Sequence, residues 1–267
     1  RDRMMTDRLS DMTAGTTLLP DLTRQPTVSG TYLRAIVDFA VLRGGARRSL
    51  LHDVGLTEPD LADDRRHPLD CLMQLLRAAA IRGNDPAFAL HFGQHVPCEQ
   101  VSLAAPLGKA ARTVVEALQQ VNRYAPLSTD FPALRGGDRF RLETDRDGVW
   151  LRDMRPRDDR TELTELVFSR MVLGIRRVQQ HDVVRAVYVT HAAPVHVADY
   201  DVAFGVPVHF GSARNALLLD PRWLQTELVP APAHVTRILA THADRQLSAL
   251  TAQRTCRGRL EAALRPL

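Results

Sequence analysis

Residues 191–228 read HAAPVHVADYDVAFGVPVHFGSARNALLLDPRWLQTEL, and the changes of period inside this stretch decide the fold. VADYDVAFG (197–205) has helical character and stops on a glycine, which closes a helix because it can take a left-handed backbone without a Cβ clash. VPVHF (206–210) and NALLLD (215–220) are two strands, separated by the turn residues Gly211 to Arg214. Arg222 to Leu228 then forms a closing helix.

Immediately upstream, RAVYVTH (185–191) is a further strand. Farther back, RFRLET (139–144) and GVWLRDM (148–154) alternate apolar and polar residues on either side of Asp145, Arg146, Asp147 and Gly148, the chemistry of a β-hairpin. Between hairpin and strand, Asp159 and Glu162 have capping-box spacing, and Leu163, Leu166, Val167, Met171, Ile175 and Val178 build a broad apolar helical face suited to crossing a sheet. The second half is therefore α+β, with a mixed or antiparallel sheet of about five strands.

The first half is a helical layer. Leu33, Ile36, Val37, Ala40 and Val41 recur at helical spacing before Gly44 and Gly45, and ARRSLLHDV (46–54) is a short helix ending at Gly55. Thr57, Glu58, Pro59 and Asp60 open a brief helix, and Leu69 to Ala79 forms an apolar stripe that stops at Gly83. Residues 86–96 and 109–124 are helical again. Residues 1–26 have no sustained period and are expected to be a flexible arm. Val235, Ile238, Leu239, His242 and Leu247 mark a long helix that could be a linker or a dimer seam. The expected division is 1–26 arm, 27–230 domain (27–125 mainly helical, 126–230 α+β), and 231–267 linker helix.

Composition excludes several classes. The 267 residues are 45% hydrophobic and 25% charged, with a net charge of +4. No apolar run approaches the ~20 residues that cross a bilayer, and the charged, broken N-terminus is no secretory h-region, so a cytoplasmic protein without membrane contact is expected. Cys71, Cys98 and Cys256 are too few and too far apart for a disulfide framework. Lys109 is the single lysine, and the charges are mixed along the chain, giving no strong field. Arg254, Arg257, Arg259 and Arg265 face only Glu261, which fits an ordinary exposed helix better than a phosphate-binding surface.

The 191–228 stretch resembles the signature of the arabinose-binding-like N-terminal domain found in many AraC-family regulators. The resemblance rests on Pro194, Tyr200, Phe204 with Gly205, Pro207 with Val208, Phe210, Asn215, Leu217 with Leu219, and Leu224 with Leu228. Residues 50–83 and 162–178 agree, so it spans about 30–250. It implies a domain that senses a small-molecule effector and forms a homodimer, in a regulator that meets promoter DNA through two helix-turn-helix units. The chain opens on Arg and stops at TAQRTCRGRLEAALRPL, which resembles only the lead-in helix, so those units are expected outside it and the chain is expected to be part of a longer protein.

Catalytic and metal motifs are weak. His91, His95 and Cys98 are the nearest approach to a zinc site, but a fourth ligand is missing and Pro97 breaks the helix, so no metal is expected. P-loops, nucleophile elbows, GxGxxG and HExxH are absent, and neither a cofactor nor an enzymatic activity is expected. His52 and Asp53 are adjacent on a helix and do not face each other. Residues 46–62 imitate a helix-turn-helix, but Pro59 and Asp60 bring acidic charge where phosphates would lie. An effector needs an apolar pocket with a few polar groups. Trp150, Arg152, Glu165, Arg170, Tyr188 and Tyr200 lie on the elements expected to line it, where a buried arginine would suit a carboxylate. A constitutive dimerisation scaffold with no ligand is the alternative.

Overall fold

A computed structural model describes residues 25–253 apart from 135–136, 157, 159 and 179–181. The N-terminal arm up to residue 24, the arginine-rich end with Cys256, and Asp159 as a helix cap lie outside the described residues. Within them the chain forms nine α-helices and eight strands in two sheets.

Seven helices precede or cover the sheet: α1 (Gly30–Leu42), α2 (Arg47–Asp53), α3 (Leu69–Arg82), α4 (Phe88–His95), α5 (Ala104–Gly108), α6 (Val114–Ser128) and α7 (Thr161–Val178). Their starts follow from capping chemistry: Ser29 Oγ accepts from the Tyr32 amide at α1, and Thr113 Oγ1 from the Glu116 amide at α6. The brief helix at Thr57 is a 3₁₀ turn, Glu58–Leu61, held by the Thr57 amide donating to Asp60 Oδ2 at 2.8 Å. Further features depart from the sequence expectation. The helical half carries a small antiparallel sheet in the order β2 (Arg66–Pro68), β1 (Thr27–Ser29), β3 (Thr129–Asp130). Helix α6 passes through Pro126, whose missing N–H removes a bond only in the final turn. And α5 is an extra short helix.

The larger sheet has the order β4-β5-β8-β6-β7, from β4 (Phe140–Asp145), β5 (Gly148–Asp153), β6 (Val184–Tyr188), β7 (Val208–His209) and β8 (Ala216–Leu219). The hairpin β4–β5 pairs Asp145 with Gly148; β5–β8 and β8–β6 are antiparallel, and β7 joins β6 in parallel, so the sheet is mixed. The two strands of the 191–228 stretch do not pair with each other: they flank β6 on opposite sides. Between them the chain turns at Gly211 (φ +65°), and Asn215 Oδ1 accepts the Thr190 amide at 2.9 Å. Helix α8 (Val197–Phe204) ends on Gly205 in the left-handed region (φ +59°), whose amide donates to the Asp201 carbonyl. The closing segment is a 3₁₀ turn, Pro221–Gln225, instead of an α-helix, capped by Asp220. The last element is α9 (Ala233–Gln253). Among the described residues no helix is long and apolar enough to cross a membrane.

Helix α7 lies between two cores. Leu163 and Leu166 join the helical core with Leu33, Ile36, Leu72 and Phe92. Phe168 and Val172 join the sheet core with Val149, Leu151, Val187 and Leu217. Helices α4 and α7 pack so closely that a Cβ on Gly93 would stand 2.5 Å from the Leu166 carbonyl oxygen. A third, smaller core seats α9 on α5 and α6 through Ala243, Leu107 and Tyr124.

Candidate effector cavity

Alternation along β5 decides what the sheet offers its helical cover. Val149 and Leu151 point inward to the sheet core, so Trp150 and Arg152 point to the opposite face. Leu151 and Phe140 form one wall of a cavity of about 780 Å³ whose other walls are Val167 and Met171 of α7 and Leu118 and Val121 of α6. This is the size and apolar character of pockets that hold small molecules. Exposed Lys109, Glu99 and Arg177 are also among its lining residues, with Lys109 paired to Glu99. Leu228, Val229 and Ala231, which lead into α9, also line it. That lead-in is tied to the α5–α6 region, the Leu228 amide donating to the Arg112 carbonyl and the Ala231 amide to that of Lys109.

Two arginines bring polar groups into the apolar walls. Arg139, just ahead of β4, is 8% exposed and donates from Nη1 to Thr129 Oγ1 at 2.6 Å. Its Nε is 3.8 Å from Asp153 Oδ1, beyond hydrogen-bond length, and Nε and Nη2 are buried without a hydrogen-bond partner. Asp153 itself is committed to Arg155, which donates from Nε to Oδ2 at 2.7 Å. Burial pulls the Arg139 guanidinium below its usual range against the opposing pull of Asp153. Burial pushes the Asp153 carboxyl up, but Arg155 and Arg139 outweigh it and hold the group below the usual carboxylate range.

Arg170, on α7, donates from Nη1 to Tyr32 Oη at 2.9 Å and stacks over the Tyr32 and Phe92 rings. Its Nε and Nη2 are likewise buried and unpartnered. Both arginines and Tyr32 line the cavity. Burying guanidinium N–H groups without acceptors is costly.

Of the six residues expected to line a pocket, the structure brings Arg170 to this cavity. Trp150, Arg152 and Tyr188 occupy the far face of the sheet: the Tyr188 ring is edge-on to Trp150 at 4.9 Å, the Arg214 guanidinium lies 3.9 Å over Trp150, and Arg152 pairs with Glu143. Glu165 and Tyr200 form a separate buried network, in which Tyr200 Oη donates to Glu165 Oε1 at 2.6 Å and His196 Nε2 lies 2.8 Å from the same oxygen. Burial and the neighbouring Glu165 push the Tyr200 hydroxyl well above its usual range, and the hydrogen bond to Glu165 pushes His196 up. Arg139 was not among the six. The sequence puts it at the head of the strand 139–144, whereas the structure starts β4 at Phe140, so alternation does not assign its direction.

The other candidate clusters disperse. His91 Nδ1 lies 2.9 Å from Asp85 Oδ2 and His95 Nδ1 2.8 Å from the His91 carbonyl, while burial pushes the Cys98 thiol up. No group of three or more His, Cys, Asp or Glu among the described residues could hold a metal ion. Asp53 is engaged by Arg82.

Much of the 191–228 motif maintains this architecture. Tyr200 ties α8 to α7, Gly205 ends α8 beneath the Arg176 guanidinium, and the Pro207 carbonyl accepts the Val187 amide. The chain is similar to the crystal structure of transcriptional regulator CdpR from Pseudomonas aeruginosa, with 19% identity and a TM-score of 0.49 over 74% of this chain and 64% of that one. The chain thus spans less than two thirds of that regulator. No curated protein matches. The model of the arabinose-binding domain of AraC transcription regulators, N-terminal, matches residues 44–228, and the chain belongs to that family.

Proposed function

We propose that this domain senses a small-molecule effector in the cavity between α6, α7 and the sheet, and transmits its occupancy through α9 to DNA-binding units of a cytoplasmic regulator. The observation that carries this reading is the shared wall: Leu228, Val229 and Ala231 line the cavity and run directly into α9, which is itself seated on cavity-lining α6. A ligand that prefers one position of this segment shifts the helix that follows, with a coupling of typically ~1–3 kcal/mol. Residues 27–230 serve as the sensing and dimerising unit and 231–267 as the linker, with promoter DNA gripped by helix-turn-helix units beyond it. Trp150, Arg152 and Tyr188, on the far face, and Glu165 and Tyr200, beside α8, would then act in packing, while Arg170 contacts the effector.

The test is a thermal-shift screen of small metabolites on the chain and on Ala117→Trp, which places an indole in the cavity wall. A compound that stabilises the parent, fails to stabilise the variant and changes amide exchange in 233–253 is the expected result. Stabilisation that survives the tryptophan, or a screen without hits accompanied by a constitutive dimer in sedimentation, overturns effector sensing in favour of a dimerisation scaffold.

A further inference from the structure

We infer that the ligand of this cavity is a carboxylate on an apolar body, its head held between Arg139 and Arg170 and its body lying along α6 and the inner face of the sheet. The inference rests on the effector reading above and narrows it to a chemical class. Three observations converge. Apart from the two arginines the lining is mostly apolar, with Leu118, Val121, Phe140 and Met171 among it, and its other charged residues, Glu99, Lys109, Arg177 and Glu227, are exposed. Each of two arginines lining one cavity has Nε and Nη2 buried and unpartnered, the side of the guanidinium fork that binds a carboxylate bidentately. Charge is also unbalanced there. The buried carboxylate Asp153 faces two guanidiniums, Arg155 and Arg139, and among the described residues no carboxylate lies within ion-pairing distance of Arg170.

Burying guanidinium N–H groups without acceptors costs stability, and apolar residues of similar volume are often as good in such places. Two arginines that line a ligand-sized space, each with buried N–H groups that lack a hydrogen-bond acceptor, are the arrangement expected beside a site for an anion. The surroundings favour a singly charged, planar head over a phosphate. The Thr129 hydroxyl is already an acceptor for Arg139, and Tyr32 Oη for Arg170. Bidentate guanidinium geometry matches the two oxygens of a carboxylate.

The experiment is calorimetric titration of the chain with decanoate, decan-1-ol and decyl phosphate, each below its micelle concentration, repeated on Arg139→Met, Arg170→Met and Ala117→Trp. Decanoate is expected to bind at least about tenfold more tightly than decan-1-ol, the scale of a charge-assisted hydrogen bond. Each Met variant is expected to lose that tenfold preference while its affinity for decan-1-ol stays the same. Should a Met variant fail to fold, Arg139→Lys and Arg170→Lys retain the charge without the fork and are expected to lose part of the preference. Equal binding of decanoate and decan-1-ol, or tighter binding of decyl phosphate, overturns the carboxylate while leaving the effector cavity in place. Decanoate binding that survives Ala117→Trp places the ligand elsewhere and overturns both readings.

Discussion

Tyr124 on α6 donates its hydroxyl to Asp244 Oδ1 on α9 at 2.8 Å, across 120 residues of sequence. Helix α6 lines the cavity, so this bond joins the cavity wall to α9. The Tyr124 ring is buried and stacks under Arg123, which pairs with the same carboxylate. Tyr124→Phe keeps the ring and removes the bond. The expected cost is about 1 kcal/mol in stability, with faster amide exchange confined to 233–253. Equal exchange in both proteins would show that the apolar contacts of Ala243 and Leu107 hold α9 alone.

Asp153 is the counter-charge for two buried arginines. Asp153→Asn leaves Arg155 and Arg139 together without it, and the expected loss is about 3–5 kcal/mol in urea unfolding. Because the folded carboxyl is held below its usual value, its stabilisation is present at neutral pH, above the unfolded value, and is lost as pH falls below about 4 through the folded value. The difference between parent and variant should therefore shrink on acidification.

His196 has the opposite sign. The hydrogen bond to Glu165 raises it above its ordinary 6.5, and Asp199 and Asp85 act in the same direction. A raised folded value means that stabilisation is full below the unfolded value and fades as pH rises through the folded one. The urea midpoint of the parent should exceed that of His196→Asn most at about pH 6, and the gap should close toward pH 9. A gap that is constant with pH would assign His196 a packing role.

Gly93 permits the contact between α4 and α7. In Gly93→Ala the new methyl meets Ser169 Oγ and the Leu166 carbonyl oxygen, and backbone cannot rotate away as a side chain can. A loss of about 1–3 kcal/mol is expected from overpacking, measured by thermal unfolding.

Trp150 is packed between Tyr188 and Arg214 on the face of the sheet away from the cavity. Trp150→Ala should cost about 3–5 kcal/mol as a large-to-small change, and the affinity of decanoate should remain that of the parent. Loss of binding in a variant that retains its fold would return Trp150 to the effector site.

Period and punctuation made most elements legible before any coordinates: the hairpin around Gly148, the sheet-crossing helix from Leu163, the short helix ending at Gly205 and the long helix holding Leu239 and Leu247. They failed where pairing is non-local. The strand Arg66–Pro68 is three residues long and gains its partner from Thr27–Ser29 only in space, so no local period announces it. Strand parity could separate Leu151 from Trp150, but could not say which face carried the open space; Trp150, Arg152 and Tyr188 lie on the face away from the cavity.

The sequence by itself determined the α+β class, the family and the order of elements, because helix and strand periods and their caps are encoded within a few residues. Only the tertiary structure decided where the cavity lies and that Arg139 joins Arg170 beside it. Side-chain direction ahead of a strand, and the absence of an acceptor for a buried N–H, depend on neighbours contributed by distant parts of the chain.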